Sequence, residues 1–440
     1  VELDPVSFQK LNSRYAEAFN ASSFGEIITD ADDFIEEDAK LAEFLQNSTD
    51  LLSSEESAPV IKLVNSLFYQ AIKKNSSDIH VEVHENKGEV RFRVDGTLSK
   101  HLELDKNVVA LVISRIKIIS NLDISERRVP QDGRTKVKIA GRSLDIRVSI
   151  LPTYHGERAV MRILSHSSTI PTIADLGFDE EISSTLESLL RHPHGMILVT
   201  GPTGSGKSTT LHASLQQIAS IEKNVITIED PVEYNADNIN QIQVNTKVGL
   251  TFASALRSVL RQDPDIVMVG EIRDKETAQI SIQAALTGHL LLSTLHTNNA
   301  TAAVTRLADM GIENFLISST LLGVLAQRLV RKLCPKCKTP ETISDSFADE
   351  FGLQKNMTLY KACGCEDCGH SGYVGRIAVG EILALDDELK ELISITTNDH
   401  TIRELAVKKG MIPLSHKLKK LLSNGETSLE EAIRIGIKEA

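Results

Sequence analysis

The chain contains 440 residues, of which 41% are hydrophobic, and it carries a formal net charge of −12. That length exceeds what one hydrophobic core holds and predicts two to four domains, and no apolar run approaches the length of a membrane span. No signal-peptide pattern opens the chain, so we expect a cytoplasmic protein. Because the chain has no Trp and few other aromatic residues, a stacking channel for nucleic acid is not expected.

The acidity is concentrated at the start of the chain. Residues 1–57 hold 14 Asp and Glu against 3 Lys and Arg, so they carry −11 of the net charge and leave the remainder near neutral. Apolar residues at helical spacing predict a short amphipathic helix over residues 1–19. Residues 20–57 are rich in Ser, Asp and Glu, which favours a flexible connector that is either a solvated spacer or a docking site.

Residues 58–165 combine helical and strand patterns and predict an α+β domain. Apolar residues at helical spacing mark a helix over Val60–Lys74, and alternating residues mark strands over Asp78–Val83 and Glu89–Val94. A second helix, Val108–Ser120, and three more alternating strands follow.

This domain is rich in arginine. Those that we single out are Arg134, Arg147, Arg158 and Arg162. They either line the solvent face of a sheet or reach the nucleotide of a neighbouring subunit, where they would neutralise transferred charge. Spacing alone leaves both interpretations open.

Residues 166–330 alternate apolar strands with helices, a pattern that predicts an α/β fold with a mostly parallel sheet covered on both faces. Four apolar runs predict the strands Met196–Thr200, Asn224–Ile228, Ile266–Val269 and Leu290–Leu295. Ligands of such sheets bind at the carboxyl ends of the strands, which is where the polar motifs of this chain occur.

The first predicted strand leads into a glycine-rich loop that fits the P-loop pattern G-x-x-x-x-G-K-[ST]. Glycines let backbone N–H groups turn around phosphate oxygens, Lys207 supplies positive charge to the outer phosphates, and the Ser208 hydroxyl would ligate Mg²⁺. A chance match is the alternative, but the strand before and the helix after the loop favour a working nucleotide site. The predicted nucleotide-binding residues are Gly201, Pro202, Thr203, Gly204, Ser205, Gly206, Lys207, Ser208 and Thr209.

Carboxylates follow the second and third predicted strands. Glu229, Asp230 and Glu233 follow the second, where one carboxylate can orient an attacking water while another helps to hold Mg²⁺. An acidic loop that caps a helix is the alternative. The third strand leads to Glu271 in a Walker B pattern, and this carboxylate would hold Mg²⁺ directly or through water.

A histidine lies at each end of the fourth predicted strand, His289 before it and His296 after it. A single histidine in such a position is most often a structural hydrogen-bond donor. Two histidines followed by Thr297 and Asn298 instead predict donors that sense the terminal phosphate or link it to a moving element. We assign His296 to the site in preference to His289.

Residues 331–380 contain all five cysteines of the chain. Two C-x-x-C pairs offer four thiolates, the tetrahedral set that zinc prefers, and a site with four protein ligands is structural. Disulfides are the alternative, and Cys363 is an extra thiol that competes with Cys365 for ligation. The predicted zinc ligands are Cys334, Cys337, Cys365 and Cys368. Periodicity predicts helices throughout residues 381–440.

Together these motifs resemble the GspE/PilB family of secretion ATPases, which power type II secretion and type IV pilus assembly in bacteria. The resemblance covers the chain from about residue 57 onward. Besides the motifs above, it rests on the strings Ser77–His80, Val90–Gly96, Arg128–Arg134, Gln327–Arg331 and Gly372–Arg376.

The resemblance implies a RecA-like P-loop motor domain, a preceding PAS-like α+β domain, a tetracysteine zinc insert and a helical C-terminal region. It implies ATP, Mg²⁺ and Zn²⁺ as ligands, and a homo-oligomer in the form of a hexameric ring. The family's first N-terminal domain docks on the cytoplasmic face of an inner-membrane platform, and residues 1–57 would keep only a remnant helix of it and an acidic linker. Any membrane association would therefore run through platform proteins.

Residue by residue, Glu229 matches the family's water-activating acid and Glu271 its Mg²⁺-linked Walker B acid. Arg134 and Arg147 match arginines that act across the subunit interface. We therefore hypothesise an ATPase whose hydrolysis drives pseudopilus or pilus assembly and protein export. The tetracysteine region argues against the pilus-retraction branch; it does not separate secretion from pilus extension, of which we favour secretion. The alternatives are a nucleotide-gated assembly scaffold and a RecA-like nucleic-acid translocase.

Overall fold

The computed structural model describes residues 57–139, 142–164, 170–236, 238–343, 348, 351–354 and 357–436. The helix predicted over residues 1–19 and the connector predicted after it lie outside the described residues, apart from Ser57. The chain divides into two compact units, of which the first ends at His166 and the second begins at Ser167. Among the described helices, none combines the length and the apolar character that a membrane span requires.

The first unit is a sheet with two helices on one face. Its described elements are α1 (Ser57–Lys73), β1 (Ser76–Val83), β2 (Lys87–Val94), β3 (Thr97–Asp105), α2 (Lys106–Ile119), β4 (Gln131–Ile139), β5 (Arg142–Thr153) and β6 (Gly156–Leu164). The strands pair in the antiparallel order β3-β2-β1-β6-β5-β4. Since side chains alternate along a strand, one face of the sheet is apolar and forms a single core with both helices.

The second unit is an α/β structure. Its described elements are α3 (Glu180–Leu190), β7 (Gly195–Thr200), α4 (Lys207–Ile218), β8 (Val225–Glu229), β9 (Asn240–Gln243), α5 (Phe252–Val259), β10 (Ile266–Val269), α6 (Lys275–Leu286), β11 (Leu290–Leu295), α7 (Ala302–Asp309), α8 (Asn314–Thr320), β12 (Leu321–Leu333), β13 (Thr339–Thr342), β14 (Thr358–Lys361), β15 (Tyr373–Ala384), α9 (Asp387–Ile395), α10 (Asp399–Lys408), α11 (Leu414–Ser423) and α12 (Leu429–Ile435).

Seven of these strands form one sheet in the order β15-β12-β7-β11-β10-β8-β9. All neighbours are parallel except the edge strand β15, which runs antiparallel to β12. Strands β7, β8, β10 and β11 are buried along their whole length, because separate hydrophobic clusters cover the two faces of the sheet. The predicted fold class is confirmed, and the carboxyl ends of these four strands lie along one edge.

The large sheet continues past the predicted border between the motor and the cysteine region. Strand β12 runs through residues 330 and 331, and β15 runs through residues 380 and 381. Both strands that flank the cysteine region thus belong to the large sheet, and β13 and β14 pair separately as a two-stranded sheet. The predicted division into five segments stays a prediction.

The last helix is fixed to the sheet by a buried carboxylate. Glu431 is fully buried on α12 and accepts hydrogen bonds from the backbone N–H and the Nε of Arg331, both at 3.0 Å, and from Nε of Arg434 at 2.8 Å. The Arg331 guanidinium also lies 3.9 Å from the centre of the Tyr373 ring. Paired in this way, the Glu431 charge is tolerated inside the protein, where an unpaired charge would be costly.

Replacing Glu431 with Ala is expected to lower the free energy of unfolding of the second unit by about 3–5 kcal/mol, because two arginines lose their buried partner. Urea denaturation followed by circular dichroism measures the loss, and hydrogen exchange in α12 locates it. The matched control is Glu404→Ala, which removes a carboxylate exposed on α10 beside His400 and should change little. Equal unfolding midpoints for the two variants would contradict this account of Glu431.

Candidate nucleotide site and cysteine cluster

The predicted P-loop connects the end of β7 to the start of α4. Gly201, Gly204 and Gly206 have φ angles of 147°, 78° and 89°, in the region that favours glycine. At Gly201 there is also no room for a side chain, since a Cβ would lie 2.4 Å from the Gln327 carbonyl oxygen and 2.6 Å from Ser205 Oγ. The loop therefore requires its glycines for conformation and for space.

Lys207 is buried at the first position of α4 and folds back over the loop. Its Nζ donates to the carbonyl oxygens of Gly201, at 2.9 Å, and Pro202, at 3.0 Å. Burial lowers the pKa of Lys207 to about 8; the carboxylate of Glu271 opposes this shift and the nearby Arg328 cation adds to it. The amine is thus a cation in a poorly solvated place, which suits a group that meets phosphate.

Two further predicted residues lie beside this amine. Glu271 follows β10 and forms an ion pair with Arg273, whose Nε lies 2.6 Å from Glu271 Oε2. His296 Nε2 lies 3.6 Å from the same oxygen. Burial lowers the pKa of His296, and the charge of Lys207 lowers it further. The structure brings Lys207, Glu271 and His296 together at the sheet edge. By contrast, His289 precedes β11 at the opposite edge and lies 2.9 Å from the Ala284 carbonyl oxygen.

Glu229 is the last residue of β8 and is buried, and each of its carboxylate oxygens already has a partner. Oε1 accepts from Thr227 Oγ1 at 2.6 Å and from Gln241 Nε2 at 3.0 Å, and Oε2 lies 3.0 Å from His212 Nε2. Burial acts to raise the pKa of Glu229, but the hydrogen bonds, first that of His212, outweigh it and lower the pKa. Glu233 is exposed, and its negative charge acts to raise the pKa of Lys207.

The remaining loop residues surround the start of α4. Pro202, Thr203 and Gly204 are exposed, Ser208 and Thr209 are half-buried, and Thr209 Oγ1 lies 3.0 Å from the Tyr234 hydroxyl. Ser208 lies in the loop and helix that follow β7, and Glu271 follows β10, so both lie at the same edge of the sheet. Their joint role in holding Mg²⁺ stays a prediction.

Two residues of β12 that the sequence did not predict hold loops at this edge, Gln327 the P-loop and Arg328 the loop after β11. Gln327 is buried, donates from Nε2 to the Ser205 carbonyl oxygen at 2.7 Å and accepts from Thr210 Oγ1 at 2.9 Å. Arg328 is also buried and donates from Nη2 to the Asn298 carbonyl oxygen at 2.8 Å. In the sequence, these two residues stood out only as part of the string Gln327–Arg331, which supports the family resemblance. That string did not predict which residues they contact.

In the first unit, the face of the sheet opposite the helices is charged. Arg134 on β4 pairs in register with Arg147 on β5, which pairs with Arg162 on β6. Next in this row, Asp78 is buried on β1 and accepts from Arg162 Nε at 2.9 Å. Arg134 is exposed and Arg147 is half-buried. Arginines therefore outnumber the carboxylates in this row, which gives it positive charge.

The four predicted zinc ligands form a cluster. Their sulfur atoms all lie within 4.8 Å of one another, with separations of 3.9 Å for Cys334–Cys365, 3.9 Å for Cys337–Cys368 and 3.7 Å for Cys365–Cys368. A tetrahedral zinc with bonds of about 2.3 Å places its sulfurs about 3.8 Å apart, so the donor set fits this metal. These separations are far longer than a disulfide bond, and the five cysteines are free.

Backbone amides surround the same sulfurs. The N–H of Gly364 donates to Cys337 Sγ at 3.3 Å, and that of Gly372 donates to Cys368 Sγ at 3.2 Å. Such donors stabilise thiolate charge around a metal. Cys363 does not belong to the cluster: it is exposed and its sulfur lies 3.1 Å from Thr339 Oγ1.

Sequence comparison finds close relatives along most of the chain. A family model described as "Type II/IV secretion system protein" matches residues 53–434. Type II secretion system ATPase E of Vibrio cholerae is 49% identical over 440 residues, which cover 99% of this chain and 86% of the relative. Type II secretion system protein E of Dickeya dadantii is 51% identical over 395 residues, which cover 90% and 79% of the two chains.

Two solved structures share the fold. The pilus retraction motor PilT, with bound ADP, aligns with a TM-score of 0.56 at 27% identity and covers 84% of this chain and 95% of PilT. The ATPase DotB of Legionella pneumophila aligns with a TM-score of 0.63 at 20% identity over 85% of this chain and 95% of DotB. The DotB likeness concerns the fold alone.

Nucleotide affinity is expected to fall at alkaline pH because of Lys207. Only the protonated amine attracts phosphate, and its pKa of about 8 in the free protein rises when phosphate binds. The dissociation constant for ATP should therefore be constant below about pH 8 and rise by up to about tenfold per pH unit above it. Calorimetric titrations from about pH 7 to about pH 9.5 measure this.

The control is Lys207→Arg, whose guanidinium does not titrate in this range, so its affinity should not change with pH whatever its absolute value. An ATP affinity of the unchanged chain that is constant across the whole range would contradict the prediction.

Proposed function

The chain belongs to the type II/IV secretion system protein family, and we propose that it is an ATP hydrolase that powers protein export through a type II secretion platform. The observation that carries this proposal is the meeting of Lys207, Glu271 and His296 at one P-loop, in a chain 49% identical to a type II secretion ATPase. Hydrolysis would drive assembly of a pseudopilus, or of a pilus in a related system, from the cytoplasmic side of the inner membrane. Platform proteins would attach it to the membrane.

In this proposal the P-loop holds the triphosphate. The Lys207 amine leaves the carbonyl oxygens of Gly201 and Pro202 and donates to the β- and γ-phosphates, and the backbone N–H groups of the loop bind the same oxygens. Ser208 and Glu271 offer a hydroxyl and a carboxylate, which are oxygen ligands of the kind that Mg²⁺ takes. Bound Mg²⁺ would offset the charge of the phosphate oxygens.

We propose Glu229 as the residue that orients the attacking water, with His296 as a donor near the γ-phosphate. The Glu229 carboxylate is kept ionised by its hydrogen bonds, as a residue that accepts a proton from water must be. Asp230 and Glu233, both exposed, are the other carboxylates of this strand end that could take the role. Separate variants of the three residues distinguish these assignments.

We further propose that Arg134 and Arg147 of a neighbouring copy neutralise charge as the γ-phosphate transfers. The two arginines face each other on neighbouring strands, and Arg134 is exposed on the outer strand of the sheet. A site completed by a second copy requires an oligomer, and we propose a hexamer. A monomer of this chain would then hydrolyse ATP slowly.

The cysteine cluster is proposed to hold one structural zinc. Four thiolates leave no open position for a substrate, so the metal would fix the fold of this region without acting on ATP.

The specific ATPase activity is expected to rise with protein concentration as copies assemble. Replacing Arg147 with Ala should lower kcat of the assembled protein on the order of 10²-fold or more, because arginines supplied in trans strongly stabilise the transferring phosphoryl group. The measurement is phosphate release against protein concentration, with assembly followed by light scattering.

The matched control is Lys87→Ala, which removes an exposed cation on β2, paired with Glu103, and should leave kcat unchanged. A specific activity that stays constant from dilute monomer to assembled protein would refute the proposal of a shared site.

Metal analysis tests the cysteine assignment. The unchanged chain and Cys363→Ala should each carry about one zinc per chain, whereas Cys337→Ser should lose it and melt at a lower temperature. Chelation should lower the melting temperature of the unchanged chain without abolishing ATP binding. Loss of zinc from Cys363→Ala would place that thiol among the ligands and contradict the prediction.

A further inference from the structure

We propose that His212 is a positioning residue that couples Glu229 to the helix of the P-loop. The inference rests on the proposed role of Glu229 and extends it to a residue of α4 that does not touch ATP in this account. His212 lies five positions after Lys207 on that helix, and its ring is fully buried.

Within the part of the chain that the structure describes, the hydrogen bonding of the His212 ring is directed at Glu229. Its Nε2 lies 3.0 Å from Glu229 Oε2, and because an ionised carboxylate only accepts, Nε2 carries the proton. Its Nδ1 is buried without a hydrogen-bond partner among the described residues. A buried unpaired nitrogen costs free energy, so packing alone would favour an apolar side chain at this position. The hydrogen bond to Glu229 is what a histidine supplies at this position and an apolar side chain does not.

A second chain of contacts joins the same partners. Tyr234 packs against the His212 ring with centroids 5.0 Å apart, and its hydroxyl lies 3.0 Å from Thr209 Oγ1. Gln241 Nε2 donates both to Glu229 Oε1, at 3.0 Å, and to the Tyr234 carbonyl oxygen, at 2.8 Å. Glu229 is therefore connected to α4 by two routes, one that reaches Thr209 in its first turn and one that reaches His212 in its second. A phosphate that binds at the start of this helix would therefore affect the position of the Glu229 carboxylate through both sets of contacts.

The two Glu229 oxygens are held unequally. Oε1 has two donors, Thr227 and Gln241, whereas the described partner of Oε2 is His212. Oε2 is thus the oxygen whose direction depends on one bond. Without His212, this oxygen loses the donor that fixes its direction. A displacement of about 1 Å in a reacting group can cost on the order of 10²-fold in rate.

The test compares His212→Gln with His212→Asn, since both are polar but only the longer amide reaches the position of Nε2 and donates to Oε2. In the assembled protein, His212→Asn should lower kcat by about 10- to 100-fold, while KM for ATP stays within about twofold. His212→Gln should recover most of kcat. His212→Leu serves as a further variant without a donor and should behave like His212→Asn.

The Glu229→Gln background separates this inference from the proposed role of Glu229. There, adding His212→Asn should cause no further loss of kcat, because the two residues act as one unit. If Glu229→Gln lowers kcat and all three His212 variants retain it, the positioning role is overturned and the role of Glu229 stands. If Glu229→Gln retains kcat and either Asp230→Asn or Glu233→Gln loses it, the role of Glu229 fails, and the inference fails with it.

Discussion

The parallel pairing of β7, β11, β10 and β8 is the constraint on which the nucleotide site depends. Leu295 pairs with Thr200, Ser293 with Val269, and Ile228 with Val269, so these strands end side by side. Parallel strands with helical crossovers direct every following loop to the same edge. As a result, residues that are far apart in the chain converge on Lys207 without any long-range signal in the sequence. The buried apolar strands that keep this register thus position the polar residues that follow them.

Charges inside the second unit are tolerated because each is closely paired. Lys207 rests on two carbonyl oxygens, Glu229 accepts three hydrogen bonds, and Glu431 accepts from two arginines. In a poorly solvated interior such contacts are stronger than at the surface, and breaking one of them affects its neighbours. The cluster around Glu229 and the loop around Lys207 are therefore expected to respond together when a phosphate enters. Around Glu431, the same kind of pairing holds α12 against β12.

On the charged face of the first unit, buried carboxylates pair with arginines that are partly exposed. Asp78 and Glu82 are buried on β1 and are bound by arginines of the adjacent strands, among them Arg162 and Arg158. Those two arginines are thus held by carboxylates of their own sheet. Arg134 is exposed at the outer strand, where its charge is available to an anion. One face of this sheet thus holds both buried carboxylates that pair with arginines and an exposed arginine on its outer strand.

The sequence by itself determined the features that depend on neighbouring residues. The glycines and Lys207 of the P-loop lie within one short segment, Glu271 comes two residues after the strand that precedes it, and each C-x-x-C pair spans one turn. Their spacing along the chain therefore predicted all of them. Only the tertiary structure decided that His212 meets Glu229, that Gln327 supports Ser205, and that Cys363 stays apart from the cluster. These contacts depend on the order of strands in a sheet and on the direction of a buried side chain. Periodicity along the chain does not encode strand order, because the same apolar runs fit many arrangements of neighbours.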